Sequence, residues 1–282
     1  MTIQHDEGEV RGRSVPGPAL YYRHALPEGT PKAMVALLHG YADHGGRYTH
    51  VMDAWAERGI GVVALDMRGH GKAEGVRGHC LAWDEFLDDS AELERLATER
   101  AKGAPMFLCG HSFGGLVSLK TILDRKTPYR GLVLSSPYVG LAMEVPAVKV
   151  LAAKIASRVA PALGIPSGLS GAQCTGDPVR AKAYDEDPLG FKTARARWFV
   201  ETQRVQAEVI RRAGELTLPL RITFGGSDPI AKLSAAKEVF DRASSKDKTW
   251  DERPGLLHEP LSERVWADVA KDMGDWILGH AS

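Results

Sequence analysis

A serine with a glycine two residues away on each side, Gly110-His111-Ser112-Phe113-Gly114, is the stretch of this chain best suited to do chemistry. A hydroxyl is a weak nucleophile until a neighbouring base takes its proton and a third group orients that base. The apolar run Met106-Phe107-Leu108-Cys109 comes before the serine, and a helix-like stretch from Leu116 to Leu123 comes after it. Strand, sharp turn and helix with serine at the apex describe a nucleophile elbow, which lifts the hydroxyl above the end of a sheet. Side chains at 110 and 114 would crowd the neighbouring backbone in so tight a turn, so both glycines have a steric reason. The pattern occurs once in the chain.

On an elbow of this kind the acid and the histidine follow the serine in chain order. Two histidines lie beyond Ser112: His258 and His280. His280 stands two residues from the end of the sequence, behind Gly279, and reads as tail. His258 lies in a loop after a strand-like stretch, where a base can face the elbow. Asp228 follows the apolar strand Leu220 to Phe224 across two glycines, at the strand's carboxyl edge, and is the expected acid. Glu252 and Glu259 are the competing carboxylates, and Asp228 before Pro229 also suits an Asx turn. The expected triad is Ser112, Asp228 and His258.

Acyl transfer also needs donors for the oxyanion. The backbone amide of Phe113, just after the serine, is one. The loop His39-Gly40-Tyr41, after the strand Met34 to Leu38, nominates the amide of Tyr41 as the other, with the His39 ring bracing the loop. His44, His50, His70, His79 and Cys80 match no zinc spacing, and no paired cysteines assist them. No Gly-rich dinucleotide pattern follows a strand, and no GKS or GKT is present. No metal and no cofactor are expected.

These groups must be positioned by the elements around them. Met34 to Leu38, Ile60 to Leu65, Met106 to Cys109, Gly131 to Ser135 and Leu220 to Phe224 are continuous apolar runs, as strands buried on both faces require. An earlier strand fits Ala19 to Ala25, and Lys248 to Glu252 is the candidate for the last. Helical periodicity separates the strands, with one long helix over Leu81 to Arg100 and a closing helix whose inner face runs from Val265 to Ile277. The alternation predicts an α/β fold with a mostly parallel central sheet flanked by helices. It stops at Pro137. Tyr138 to about Arg204 shows no strand pattern, and prolines stand at 146, 161, 166, 178 and 188. Within it, Val148 to Leu163 carries an apolar stripe, Leu151 and Ile155 included, framed by Lys149, Lys154 and Arg158. The expectation is one catalytic core, residues 1–137 and 205–282, with an inserted helical cap over 138–204. Ordinary crossover helices against the sheet are the alternative.

Apolar residues make up 44% of the 282 positions and charged residues 26%, ordinary values for a globular protein with a sizeable core. Lysine plus arginine equals aspartate plus glutamate, 36 each, so net charge offers nucleic acid no footprint. The polar, acidic beginning carries no signal-peptide pattern, and no apolar run approaches the ~20 residues a bilayer span needs. Three scattered cysteines argue against a disulfide framework, and Cys109 reads as a small buried hydrophobe. A cytoplasmic location is expected.

Taken together, these residues resemble the monoacylglycerol lipase and lysophospholipase-like branch of the α/β-hydrolases, over about Tyr21 to Leu278. LLHGYADHGGRY at 37–48 is similar to the family's H-G-x-x-E-H-x-x-R-Y, with Asp43 in the glutamate position. LDMRGHGKAEGVRG at 65–78 is similar to D-x-R-G-H-G-x-S-x-G-x-R-G, with Ala73 for serine, and GHSFGG at 110–115 to G-H-S-M-G-G, with Phe113 for methionine. Lys149 to Lys154 and the stretch from Tyr184 to Leu189 resemble the family's cap. Leu256 to Glu259 resemble its base-bearing loop, with Ser262 in the place of asparagine. The resemblance implies an α/β-hydrolase with a lid, Ser112 as nucleophile, Asp228 as acid, His258 as base, and the amides of Tyr41 and Phe113 as oxyanion hole. The implied reaction is hydrolysis of monoacylglycerols or similar single-chain lipid esters through an acyl-enzyme. Transient contact with a lipid surface would run through the cap. Lysophospholipase, thioesterase, aminopeptidase and acyltransferase activities share the same triad. A ligand receptor on a retired hydrolase fold is the alternative outside catalysis, and serine at 112 disfavours dehalogenase and epoxide-hydrolase chemistry.

Overall fold

The computed structural model describes residues 2–13, 17–143 and 145–281. Strands and helices come first in the order β1 (Ile3–Arg11), β2 (Ala19–Pro27), β3 (Ala33–Leu38), α1 (Thr49–Ala56), β4 (Ile60–Asp66), α2 (Asp84–Ala101), β5 (Met106–His111), α3 (Phe113–Asp124) and β6 (Tyr129–Ser135). Beyond β6 lie α4 (Ala147–Val159), β7 (Gly164–Pro166), α5 (Gly171–Cys174), α6 (Pro178–Glu186), β8 (Thr193–Arg195) and α7 (Ala196–Arg212). The chain closes with β9 (Leu220–Gly225), α8 (Leu233–Arg242), β10 (Lys248–Arg253) and α9 (Trp266–Gly279).

Among the described residues, eight strands join in the order β1-β2-β4-β3-β5-β6-β9-β10. From β4 to β10 every neighbouring pair is parallel, while β2 runs antiparallel to both β1 and β4. The inner strands show why their sequences are apolar throughout. In β3, Met34, Ala36 and Leu38 face one core and Ala33, Val35 and Leu37 the other, following the period of two. The first core is closed by α2, α3, α7 and α8 through residues such as Phe86, Leu119, Val205 and Val239. The second is closed by α1 and α9 through Val51, Trp55, Met273 and Ile277.

Three readings from sequence differ from the structure. Ile3–Arg11 is an edge strand paired along its whole length with β2, although its polar, acidic sequence, IQHDEGEVR, carries no strand pattern and the first strand is expected only at Ala19. Edge strands bury little, so their sequences need no apolar pattern. The long helix begins at Asp84 rather than Leu81, and Lys102 at φ 50° with Gly103 at φ 87° ends it in left-handed conformations. Residues 138–204 are not strand-free, because β7 and β8 pair there as a short antiparallel ribbon. Such three-residue strands are too short to show periodicity. Helix α4 stops at Val159, before Pro161, and packs on α7, which also packs on α3 beside the sheet.

Candidate active site

The turn after β5 holds Ser112 at φ 51° and ψ −117°, a left-handed backbone that a side chain disfavours. Strain of this kind persists where the surroundings over-determine it, and the glycines show how. A Cβ on Gly110 would stand 2.5 Å from the Gly114 carbonyl oxygen, and one on Gly114 would stand 2.3 Å from that of Leu38. The turn therefore packs directly against the end of β3, where the His39-Gly40-Tyr41 loop begins. The Ser112 amide donates to the Ser135 carbonyl at 2.9 Å, and the Ser112 carbonyl accepts from Tyr138 at 2.9 Å. The serine is thereby fixed from below and from the side.

His258 arrives from the loop after β10. Its Nε2 lies 2.7 Å from the Ser112 hydroxyl, and its Nδ1 lies 2.8 Å from Oδ2 of Asp228. A carboxylate can only accept, so Nδ1–H donates to Asp228 and Nε2 is left to accept the serine proton. The other oxygen of Asp228 accepts from the amides of Ile230 and Ala231 at 2.8 and 2.9 Å. The aspartate is thus both the Asx-turn residue that Asp-Pro suggests and the partner of His258. Its side chain is fully buried, and that of His258 nearly so.

The two competing carboxylates are elsewhere. Glu252 is exposed on β10. Glu259 is buried and held bidentately by Arg47, at 3.0 and 2.7 Å. That ion pair depresses the Glu259 carboxyl below its usual range against the opposing cost of burial. Asp43, also held low, accepts from Arg47, from Tyr48 at 2.7 Å and from the Gly40 amide at 3.2 Å. Sequence reasoning assigned no function to this Asp43-Arg47-Glu259 chain, which joins the loop after β3 to the residue following the base. Separately, Glu263 braces the loop that carries His258 by accepting from the Leu257 amide at 2.9 Å.

Tyr41 follows the end of β3 and Phe113 opens α3 directly after Ser112. Neither backbone amide makes a hydrogen bond to another described residue, and their rings meet edge to face at 5.9 Å. The His39 ring donates from Nδ1 to the Gly40 carbonyl at 2.7 Å and accepts the Met67 amide on Nε2 at 3.0 Å, so it braces the ends of β3 and β4. His111, 5.0 Å from the His258 ring, donates to the Ser135 carbonyl. Burial, then the proximity of His258, pushes its pKa down to about 4, so it stays neutral beside the base. Among the described residues no group of three or more His, Cys, Asp or Glu side chains could hold a metal. The buried thiols Cys80 and Cys109 are pushed up to about 12 by burial.

Above the serine opens a cavity of about 340 Å³, walled by Tyr138, Leu141, Ile165, Trp198, Phe199 and Ile230 and reaching His258. From α4 it takes Lys149 and Ala153. Leu151 and Ile155 are on the other side of that helix, 58% and 56% exposed, together with exposed Val148 and Val159. Of the two places a cap offers this stripe, the acyl cavity or the outer surface, Leu151 and Ile155 take the outer one and do not line the cavity. Among the described residues no helix is long and apolar enough to cross a membrane.

A mostly parallel eight-stranded sheet with a serine elbow after β5, an aspartate after β9 and a histidine after β10 is the α/β-hydrolase fold. Residues 29–265 match the family described as serine aminopeptidase, S33, and the chain belongs to that family. It is 32% identical to a monoacylglycerol lipase of Mycolicibacterium smegmatis over 94% of this chain and 95% of that one. It is 30% identical to phospholipase YtpA of Bacillus subtilis, over 86% and 93% of the two chains. The crystal structure of Paleococcus ferrophilus monoacylglycerol lipase superposes with a TM-score of 0.81 at 26% identity, covering 99% of this chain and all of the other.

Proposed function

We propose that the protein is a serine carboxylic-ester hydrolase that cleaves monoacylglycerols or similar single-chain lipid esters. The observation that carries this reading is the relay from Ser112 through His258 to Asp228, at 2.7 and 2.8 Å, beneath an apolar cavity. The similarity to monoacylglycerol lipases over nearly the whole chain supports the substrate class.

The ester carbonyl enters over Ser112 with its chain in the cavity, where each buried methylene contributes roughly 0.8 kcal/mol. Ser112 attacks as Nε2 of His258 takes its proton, and Asp228 stabilises the imidazolium. The amides of Tyr41 and Phe113 hold the oxyanion, with no reorganisation needed as charge develops. His258 returns the proton to the leaving alcohol, and the acyl-enzyme remains. Water, deprotonated by the same ring, attacks the acyl-enzyme and releases the fatty acid. These steps use only the protein's own groups and water.

Residues 138–204 act in this reading as the cap, inserted between core segments 1–137 and 205–282. The outward stripe of α4, Val148, Leu151, Ile155 and Val159 flanked by Lys149, Lys154 and Arg158, suits contact with a lipid surface. A lysophospholipid is the second substrate reading. It is favoured by Lys149, which lines the cavity and makes no ion pair among the described residues.

The test is hydrolysis of 1-monooleoylglycerol beside lysophosphatidylcholine, in wild type and Ser112→Ala, with mass spectrometry after fluorophosphonate treatment. The expected result is one adduct on Ser112 and an alanine variant without acyl-enzyme turnover. An adduct elsewhere, or an active alanine variant, rejects the assignment. Faster turnover of the lysophospholipid selects the second substrate.

A further inference from the structure

The side chain of Tyr41 does something its backbone role does not require. Its phenol oxygen lies 2.9 Å from the Gly78 carbonyl, in the loop between β4 and α2, and 3.2 Å from the Thr193 carbonyl on β8. A phenol has one proton, so it is shared between two segments of chain that are otherwise far apart in sequence. The same oxygen accepts the Arg195 amide at 3.4 Å. Burial raises the phenol's pKa, so it remains a donor. The ring stacks on Trp198, with centroids 3.6 Å apart and planes inclined by 21°, and meets Phe191 edge to face at 5.1 Å. Phe191, Thr193, Arg195 and Trp198 all come from the stretch around β8 and the start of α7.

Two backbone features show that the fit is built in. Gly78 stands at φ 65°, and a Cβ there would lie 2.2 Å from the Tyr41 hydroxyl. Only glycine lets the phenol come so close. On the other side, Ala42 is held at φ 60°, a conformation its side chain disfavours. Tyr41 is thus followed directly by a strained residue and anchored through its own side chain.

We propose that the Tyr41 phenol is a positioning group for the oxyanion hole, through which the β7–β8 ribbon sets the place of the Tyr41 amide. This rests on the reading of that amide as an oxyanion donor. With the ribbon seated, the phenol is held from two sides and the amide is aimed at the site above Ser112. When the ribbon shifts, the phenol loses an acceptor and the strained loop is free to relax, so the hole is complete only under a seated ribbon. Arg195 makes the ribbon's own attachment, donating to the Arg77 carbonyl at 2.8 Å and the Ala162 carbonyl at 2.9 Å.

Tyr41→Phe keeps the ring against Trp198 and removes the hydroxyl. Loss of an entire oxyanion donor costs roughly 100- to 1,000-fold in kcat, so misplacing one should lower kcat roughly 10- to 100-fold. KM for a p-nitrophenyl butyrate ester and the thermal midpoint should stay near wild type, because packing is retained. Arg195→Ala loosens β8 by an independent route, and the double variant should be little worse than the worse single one. An unchanged kcat in Tyr41→Phe, additive losses in the double variant, or a raised KM with a fallen midpoint overturns the proposal. Wild type that cleaves no ester overturns the parent reading as well. Active wild type with an indifferent Tyr41→Phe removes the positioning role alone.

Discussion

Arg47 and Glu259 are joined by two near-parallel hydrogen bonds although 212 positions separate them in the chain. Both side chains are almost entirely buried, 15% and 7% exposed, and the same guanidinium also meets Asp43. Removing the cation would leave two carboxylates in a low-dielectric interior. Losing one partner of a buried pair costs about 3–5 kcal/mol. Arg47→Met should therefore lower the stability measured by urea unfolding by about that amount, and Arg47→Met with Glu259→Gln should recover part of it. A loss below about 1 kcal/mol would show that the pair contributes little.

The choice of Asp228 over its rivals gives a kinetic expectation. If Asp228 holds His258 in the tautomer with Nδ1–H, Asp228→Asn should lower kcat by roughly 10⁴ with a nearly unchanged thermal midpoint. Glu252, exposed on β10, should tolerate glutamine at full activity. The reverse ranking of the two variants in steady-state kinetics would mean that the wrong carboxylate has been assigned.

Leu151 and Ile155 lie outside the cavity, so their effect should appear at a lipid surface and not in soluble turnover. Leu151→Ser and Ile155→Ser should reduce kcat/KM for vesicle-presented long-chain monoacylglycerol at least roughly tenfold more than for a soluble acetate ester. The thermal midpoint should move little, because exposed substitutions usually change stability by less than about 0.5 kcal/mol. Equal losses on both substrates, with a large drop in midpoint, would place the stripe in the core's packing.

Acid should weaken the fold before it protonates the paired carboxylates. Burial lowers the pKa of His39, takes His70 to about 3 and takes His111 to about 4, while the unfolded chain titrates near 6.5. Between those values the unfolded state binds more protons, so stability falls as pH drops below about 6.5. Each such histidine contributes up to about 1.4 kcal/mol per pH unit. Asp43 and Glu259, both depressed, keep their contribution above the ordinary carboxylate range and lose it only as pH falls further. Urea midpoints measured from pH 7.5 to 4.5 should decline steadily, and His70→Gln should reduce the slope by about one proton. A midpoint that rises on acidification contradicts this account.

The sequence by itself determined the sheet's inner strands, because a strand covered on both faces must be apolar at every position. It nominated Ser112 by the glycines its turn requires, and His258 and Asp228 by chain order and by the strand edges that precede them, with Glu252 and Glu259 as rival carboxylates. It could not show Ile3–Arg11 as a strand, since an edge strand buries too little to leave a pattern, nor the three-residue strands of the ribbon. Only the tertiary structure decided which carboxylate reaches His258. Glu259 follows it directly in the chain and Asp228 lies 30 positions before it, but Arg47 holds Glu259 and Asp228 is the one that meets the imidazole. The direction of the α4 stripe was likewise decided in three dimensions. Periodicity tells which residues share a face, whereas what that face meets depends on how α4 lies against α7. The Tyr41 phenol shows the same limit, because its two acceptors, at 78 and 193, become neighbours only when β8 folds back over the sheet's carboxyl edge.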